Sequence, residues 1–406
     1  MGKKVLYITY DGLTDPLGQS QILPYLKGLA AKGREIQIIS AEKADRFRAN
    51  EVAVREQIKG LNIHWAFTHY SNRPPLLSTS FLIRRMKKLA HAFYSINHFD
   101  IIHSRSLIPA MIGLSLKKKY GSKLIFDIRG FWVDERVEGG LWNLKNPTYR
   151  ILYSLFKKKE KKLFKKADAI VSLTENAKDY IQGHFKTQAE FAVIPCSVDM
   201  QHFDFNRISK ENSTKLKTKL GLKKNDFVLI YIGSLGTRYL LSEMFQFFHA
   251  LKSQQTEAKM LFVTQTPVDF ILTEAQKQGV EGEDVVITSS TYREIPNYIN
   301  VADAGIFFIH SGFTGKAVSP TKQSELLAMG LPIVTNAGVG DSESIIQDNE
   351  LGVVVQDFDA NSLAAAVKQL LQSNYEKSKI RKKADRLFAL QTAIVKYDDL
   401  YDKIHE

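Results

Sequence analysis

The 406-residue chain is 44% hydrophobic and 24% charged, the balance of a globular protein too long for one ordinary core, so about two domains are expected. No apolar run approaches the roughly 20 residues of a membrane span, "MGKKVLYITY" lacks a signal-peptide pattern, and the lone Cys196 excludes a disulfide framework or a Cys-based zinc cluster; a cytoplasmic protein is expected. The net charge of +13 sits in one half: residues 1–200 hold 33 Lys and Arg against 18 Asp and Glu, the rest 23 against 25, which asks for an anionic partner of the first domain, a membrane surface or a nucleic acid.

Along the chain, short β-branched apolar runs alternate with helical patterns. "VLYITY", "EIQIIS", "NIHWAF", "DIIHSR", "KLIFDI", "DAIVSL" and "EFAVIP" come first, then "FVLIYIG", "MLFVTQ", "DVVITS", "AGIFFIH", "PIVTNA" and "GVVVQ". Continuous apolar runs of this length suit parallel strands buried on both faces. The intervening "QSQILPYLKGLAAKG" predicts one helix with Ile22, Leu26 and Leu29 on a shared face and Gly33 closing its end. The fold class is therefore α/β, two doubly wound Rossmann-like sheets, with ligands expected at the carboxyl ends of the strands in a central cleft. The polar stretch 206–225 reads as a linker, part of which opens the second domain as a helix.

After "AGIFFIH" comes the loop "HSGFTGKAVSPTK" and a short helix. Ser319 is expected to cap that helix with Pro320 at its first position, the free amides forming an anion site to which Lys322 adds a cation. Three residues on, Glu325 is placed to accept hydrogen bonds from neighbouring hydroxyls such as a nucleotide ribose offers; a surface ion pair with Lys322 is the plainer alternative.

"SPTKQSELLAMGLPIV" resembles the nucleotide-sugar-binding segment of retaining family 4 glycosyltransferases of the GT-B fold, bacterial surface-polysaccharide type. "DGLTDPLGQSQILPYLKGLAAKG", "FDIRGFWVDERVEGGLW", "VIPCSVDMQHF", "YIGSLGTRYLLSEM" and "TAIVKYDDLYDKI" extend the resemblance over nearly the whole chain, in the family's order. It implies an acceptor-binding domain over 1–203, a nucleotide-sugar-binding domain over 204–387, and a terminal helix near 388–406 crossing back to the first domain. It implies a hexose transfer from a nucleoside diphosphate sugar to a glycan or lipid-linked acceptor, with no cofactor beyond the co-substrate. Donor contacts are implied at Gly18, Gln19, Gly233, Arg238, Phe313, Thr314, Gly315, Lys316, Ser319, Thr321, Lys322 and Glu325. A catalytic role is implied for Lys322; Asp127, His103 and Arg129, at strand ends facing the cleft, are candidates to orient or polarise the acceptor, a structural role being the alternative for each of the three. The family often carries a glutamate eight residues before Glu325, where this chain has Ala317, and an arginine where it has Ser234.

Histidines lack metal-ligand spacing, and "DFD" at Asp357–Asp359 reads as a helix cap, so no metal is expected. Two basic amphipathic stretches, "RPPLLSTSFLIRRMKKLAHAFYSI" and "YRILYSLFKKKEKKLFKK", fit an anionic membrane surface better than a nucleic acid. A non-catalytic GT-B subunit that binds nucleotide or glycan is the alternative function.

Overall fold

The computed structural model describes residues 3–70 and 77–405; the beginning of the first basic stretch, residues 73–76, lies outside them. The chain divides into two compact units, Met1–Pro195 with Leu390–Glu406, and Cys196–Ala389. The passage to the second unit thus comes before residue 203, because Val198 and Phe203 are buried in the second unit's core and Val198 bridges Ala389. The polar stretch read as a linker belongs to the second unit as well: Lys210–Lys219 is a helix whose N-cap, Ser209, accepts from the Asn212 amide at 3.1 Å.

The first unit is a seven-stranded parallel sheet of β1 (Lys4–Thr9), β2 (Glu35–Glu42), β3 (Ile63–His69), β4 (Ile101–Arg105), β5 (Lys123–Asp127), β6 (Ala169–Ser172) and β7 (Glu190–Val193), in the order β3-β2-β1-β4-β5-β6-β7. Alternation along β1 sends Val5 and Tyr7 into a core shared with Leu26, Leu29, Val54, Ile58, Ala393 and Tyr397, so the helices Leu23–Ala31, Ala44–Ile58 and Leu390–Lys403 cover that face. Leu6 and Ile8, equally buried, point the other way. There the helices Leu77–Tyr94, Leu107–Tyr120 and Pro147–Lys166 lie side by side, the middle one packed on β4 and β5. The stretch 19–33 is not one helix: it breaks at Ile22 (φ −127°, ψ −63°) into Pro16–Gln21 and Leu23–Ala31. Pro24 has no N–H to give the Ser20 carbonyl, so one turn is lost and a new helix begins with Pro24 in its first turn.

The second unit is a six-stranded parallel sheet of β8 (Phe227–Ile232), β9 (Ala258–Val263), β10 (Val285–Thr288), β11 (Ala304–Ile306), β12 (Ile333–Asn336) and β13 (Gly352–Val355), in the order β10-β9-β8-β11-β12-β13. Of "AGIFFIH" only Ala304–Ile306 pairs as strand. Beyond it, the Asn336 side-chain amide clamps Ile309, accepting from its N–H at 2.8 Å and donating to its carbonyl at 2.9 Å, while Tyr239 bridges Ile309 from the other side. Strand order reverses between β1 and β4 in one sheet and between β8 and β11 in the other. In open α/β sheets such reversals open a crevice beyond the strand carboxyl ends.

Candidate active site

In the second unit this crevice holds a buried amine. β8 delivers Tyr231 and ends in Gly233, whose left-handed backbone (φ +96°) turns the chain away; a Cβ there would lie 3.8 Å from Lys322 Nζ. The returning chain places Tyr239 opposite, and the helix Thr321–Ala328 inserts Lys322 between the two rings, with Nζ 3.7 Å from each ring centroid. Lys322 is 4% exposed, and among the described residues its Nζ has no hydrogen-bond partner. Burial holds the amine well below its ordinary range, with nearby Glu325 pulling it back up. Cation–π contact contributes about 0.5–2 kcal/mol per ring, against several kcal/mol for desolvating an ammonium, so the site favours an arriving anion over a permanent charge. The first amides of the same helix, at Thr321 and Lys322, have no carbonyl ahead of them within it and add a partial positive charge.

One turn on, half-buried Glu325 has its carboxyl pushed up to about 8 by burial, with Lys322 acting the other way. Among the described residues its carboxylate has neither a hydrogen-bond nor an ion-pair partner, so the surface ion pair with Lys322 does not form. One helix thus carries, a turn apart, a buried amine with no hydrogen-bond partner among the described residues and a half-buried carboxyl. The sequence pattern pointed to both; the two tyrosines that hold Lys322 were missed, although each sits in a motif already singled out.

Other expected donor residues are placed differently. Ser319 does not cap the helix: Pro320 is the N-cap, and Ser319 Oγ accepts from the Cys196 amide at 3.1 Å, one position too early to reach the first turn. Gly315 gives its N–H to the Gly312 carbonyl at 2.9 Å and its carbonyl to the Gly340 N–H at 2.9 Å, so its backbone is already engaged and does not stand free for a hexose. It is a glycine because a Cβ would meet the Gly338 carbonyl at 2.8 Å. Phe313, Thr314 and Lys316 lie with it in the short 3₁₀ turn Phe313–Ala317, Lys316 exposed and Ala317 buried. Arg238 is half-buried beside Tyr239, and its carbonyl accepts from His310 N–H at 3.0 Å. Ser234 is exposed, its carbonyl taking the Tyr231 hydroxyl at 3.0 Å.

In the first unit, Gly18 makes its close approach to its own loop: a Cβ would stand 2.0 Å from the Gly12 carbonyl. Gln19 gives its amide to the Leu13 carbonyl at 2.5 Å and accepts from Gln57 at 3.0 Å. The loop is organised by Glu42, fully buried at the end of β2, which accepts from the amides of Leu13 (2.7 Å) and Thr14 (3.1 Å) and from the hydroxyls of Thr14 and Ser40 (both 2.5 Å). Nothing in the local sequence marks Glu42, whose four donors come from two separate segments.

His103 and Asp127 do not face an open crevice; both are buried beneath the terminal helix. Asp127 accepts from His103 Nε2 at 3.3 Å, the Tyr397 hydroxyl at 3.2 Å and Arg129 Nη1 at 3.4 Å. Burial alone would raise its carboxyl; Arg129, His103 and Arg105 outweigh it and hold the group at about 2. Burial holds His103 below its ordinary range, so the neutral ring donates from Nε2 to the carboxylate and accepts at Nδ1 from the Tyr401 hydroxyl, 2.6 Å away. The geometry makes His103 and Asp127 a lock for the terminal helix, and Arg129 is the partly exposed edge of that lock. Asp359 caps the next-to-sheet helix Ala360–Gln372 through the amides of Asn361 and Ser362, as read. Among the described residues no group of three or more His, Cys, Asp or Glu side chains converges as metal ligands.

Residues 21–202 match the model Glycosyltransferase Family 4, and residues 212–387 match Glycosyl transferases group 1. The α-monoglucosyldiacylglycerol synthase of Streptococcus pneumoniae is 25% identical over 206 residues, half of this chain; the chain spans 44% of that enzyme's length. Among solved structures, Anabaena Alr3699/HepE in complex with UDP and glucose superposes with a TM-score of 0.70 at 14% identity, covering 99% of this chain and 100% of that one. Sucrose-phosphate synthase of Thermosynechococcus elongatus gives 0.70 at 14% identity over 99% and 98%. With two parallel-sheet Rossmann-like units and both halves matched in order, the chain belongs to the family 4 glycosyltransferases of the GT-B fold.

Proposed function

We propose that this glycosyltransferase moves a hexose, with retention, from a nucleoside diphosphate sugar to a glycan or lipid-linked acceptor in cell-surface polysaccharide synthesis. The observation that carries the reading is the buried Lys322 amine, without a hydrogen-bond partner among the described residues, beside a helix N-terminus at the β8/β11 reversal. A diphosphate fits there, since its oxygens can bond the amine and the first amides of Thr321 and Lys322 together. Structures of the same fold hold UDP and UDP-glucose. Glu325, one turn along, accepts the ribose hydroxyls. As the glycosidic bond breaks, negative charge grows on the leaving diphosphate, and Lys322 stabilises it in a site where water no longer screens it. In this reading the lysine supplies the countercharge and the enzyme uses no metal or cofactor; the acceptor hydroxyl loses its proton to a donor phosphate oxygen. The protein works on the cytoplasmic side, peripheral to an anionic membrane; no helix of the described residues is long and apolar enough to cross one.

Calorimetry with nucleoside diphosphates, followed by detection of nucleotide release from the corresponding sugars and assignment of the product anomer, tests the proposal. Binding and turnover with a retained anomer are expected. Binding without release in the presence of glycan and lipid acceptors would instead support a non-catalytic subunit, and an inverted anomer would overturn the retaining step.

A further inference from the structure

Before a diphosphate can bond the Lys322 amine, something has to move. Less than 1 Å² of Nζ meets solvent. Three parts of the second unit border it: the Tyr231 ring on β8, the Tyr239 ring, and the backbone at Gly233, where a Cβ would lie 3.8 Å away. The two rings meet edge-on at 84° with centroids 5.6 Å apart, and the amine sits 3.7 Å from both.

These three covers are not equally fixed. Tyr231 is a fully buried strand residue whose hydroxyl donates to the Ser234 carbonyl at 3.0 Å and whose ring packs on Phe262, so turning it out would open the core. Gly233 is tied to β9, its N–H donating to the Val263 carbonyl at 2.9 Å. Tyr239 differs. Its backbone is clamped, since it bridges Ile309 while the Leu240 N–H donates to the Phe308 carbonyl and the His310 N–H to the Arg238 carbonyl, both at 3.0 Å. Its side chain, however, is only half-buried, and among the described residues no hydrogen bond holds its hydroxyl. Rotation about χ1 can carry the ring away and leave the backbone in place. The ring also borders the second donor group: burial, opposed by Arg238 and helped by the charge of Glu325, pushes the Tyr239 phenol up to about 12.

We propose that Tyr239 is the gate of the donor site: its ring covers the Lys322 amine, and a nucleoside diphosphate reaches that amine only as the ring turns outward about a fixed backbone. The proposal rests on the reading of Lys322 as the diphosphate ligand and adds the order of events there. Movement of the lysine instead would carry the amine into solvent, where its countercharge is screened; movement of the ring leaves the amine beside Tyr231 and the helix N-terminus. A gate of this kind has a cost in affinity, because every ligand that needs it open binds more weakly by the fraction of molecules in which it is open.

Acetylation at about pH 10, where an ordinary lysine amine is about 30% neutral, reads the cover without any nucleotide. The rate at Lys322 is followed by mass spectrometry relative to the exposed Lys224. With the open form a minor state of about 0.1–10%, Lys322 should react roughly ten- to a thousandfold faster in Tyr239→Ala than in the parent, and at the parental rate in Tyr239→Phe, which keeps the ring. A parental Lys322 as reactive as Lys224 means that the lysine moves by itself, and equal rates in parent and Tyr239→Ala mean that the ring is not the cover; either overturns the gate. Inorganic pyrophosphate or uridine diphosphate should then protect Lys322 in Tyr239→Ala. Fast labelling that neither slows overturns the diphosphate reading, and the gate with it, and is told apart from the first failure by the labelling rate itself. Fluorine NMR of the fluorotyrosine-labelled parent follows the motion directly and needs no destabilised variant. In the complex with uridine diphosphate, verified by calorimetry, the resonance that is missing from Tyr239→Phe should gain a solvent isotope shift between water and deuterium oxide, as a ring entering solvent must. A Tyr239 ring as shielded in the complex as before overturns the proposal.

Discussion

Lys322 holds its amine 3.7 Å from the Tyr231 ring centroid, so a side chain from the helix after one strand is tethered to the strand on the other side of the sheet reversal. A second ring, Tyr239, closes over it. Desolvation of the amine is an unfavourable energy that a bound anion would offset.

The first prediction follows from the sign of that shift. Between its depressed folded pKa and the ordinary value near 10.4, the unfolded chain binds a proton that the folded chain does not, so stability rises with pH in that window. Lys322→Met, which keeps the volume and removes the charge, is expected to melt above the parent near neutral pH, with the gain shrinking toward about pH 10. Its turnover with a nucleoside diphosphate sugar should collapse. A variant that is less stable than the parent at pH 7 would show that the amine is satisfied by something else.

Glu325 should behave in the mirror-image way. With its carboxyl raised to about 8, the folded state keeps a proton that the unfolded state has lost, and stability falls as pH rises from about 4.5 to about 8. Glu325→Gln is therefore expected to melt higher than the parent at the top of that range and equally at the bottom. Nucleoside diphosphate affinity should drop by about 1.5–3 kcal/mol, as for loss of hydrogen bonds to a charged acceptor. Gain of stability with loss of binding marks a functional position; unchanged affinity would remove Glu325 from the site.

Proton bookkeeping gives a third check. A diphosphate bonded to Lys322 raises the amine's pKa, so binding near neutral pH should draw a proton from buffer. Calorimetry of nucleoside diphosphate binding in buffers of different ionisation enthalpy measures it directly. Glu325, with its carboxyl raised to about 8, gives up a proton when it accepts the ribose hydroxyls, so the expected signature is a difference: the parent takes up about one proton more than Lys322→Met, and equal values in the two mean that Lys322 is already charged when the ligand arrives.

The fourth concerns the first unit. Asp127→Ala takes a carboxylate away from the buried Arg105, which keeps Asp11, and from the partly buried Arg129, and unties His103 and Tyr397, at a cost of about 3–5 kcal/mol. In the parent, Asp127 contributes stability that is full above its ordinary pKa of 3.8 and is lost as pH falls toward 2. Chemical denaturation should show the loss, while donor affinity per folded molecule stays at the parental value. A weakened donor affinity at full stability would return Asp127 to the catalytic list.

The inner strands were legible because burial on both faces favours apolar side chains at successive positions, as in Val5–Ile8 and Val228–Ile232. Lys322 and Glu325 were legible for a related reason, since spacing on one helix fixes their relation. Glu42 was not, because its partners Leu13, Thr14 and Ser40 reach it only when the sheet brings two loops together. His103 misled: a histidine at a strand end reads as available, and only the fold reveals that Tyr401, 298 residues away, covers it. Ser319 misled by a single position, which is enough to exchange a helix cap for a tie to Cys196.

The pairing of Val198 with Ala389 gives the second unit neighbouring ends, while the first unit is completed only by the helix Leu390–Lys403, which Arg34 secures through Asp398 at 2.6 Å and Asp402 at 2.9 Å. On the ribosome this inverts the order suggested by chain direction. Residues 196–389 have all their partners as soon as they emerge, whereas the sheet begun at β1 must wait, with Tyr25 and Leu29 uncovered, until Tyr397 and Tyr401 have been made. Nascent chains stalled just before Leu390 would therefore expose a folded second unit and an unfinished first one.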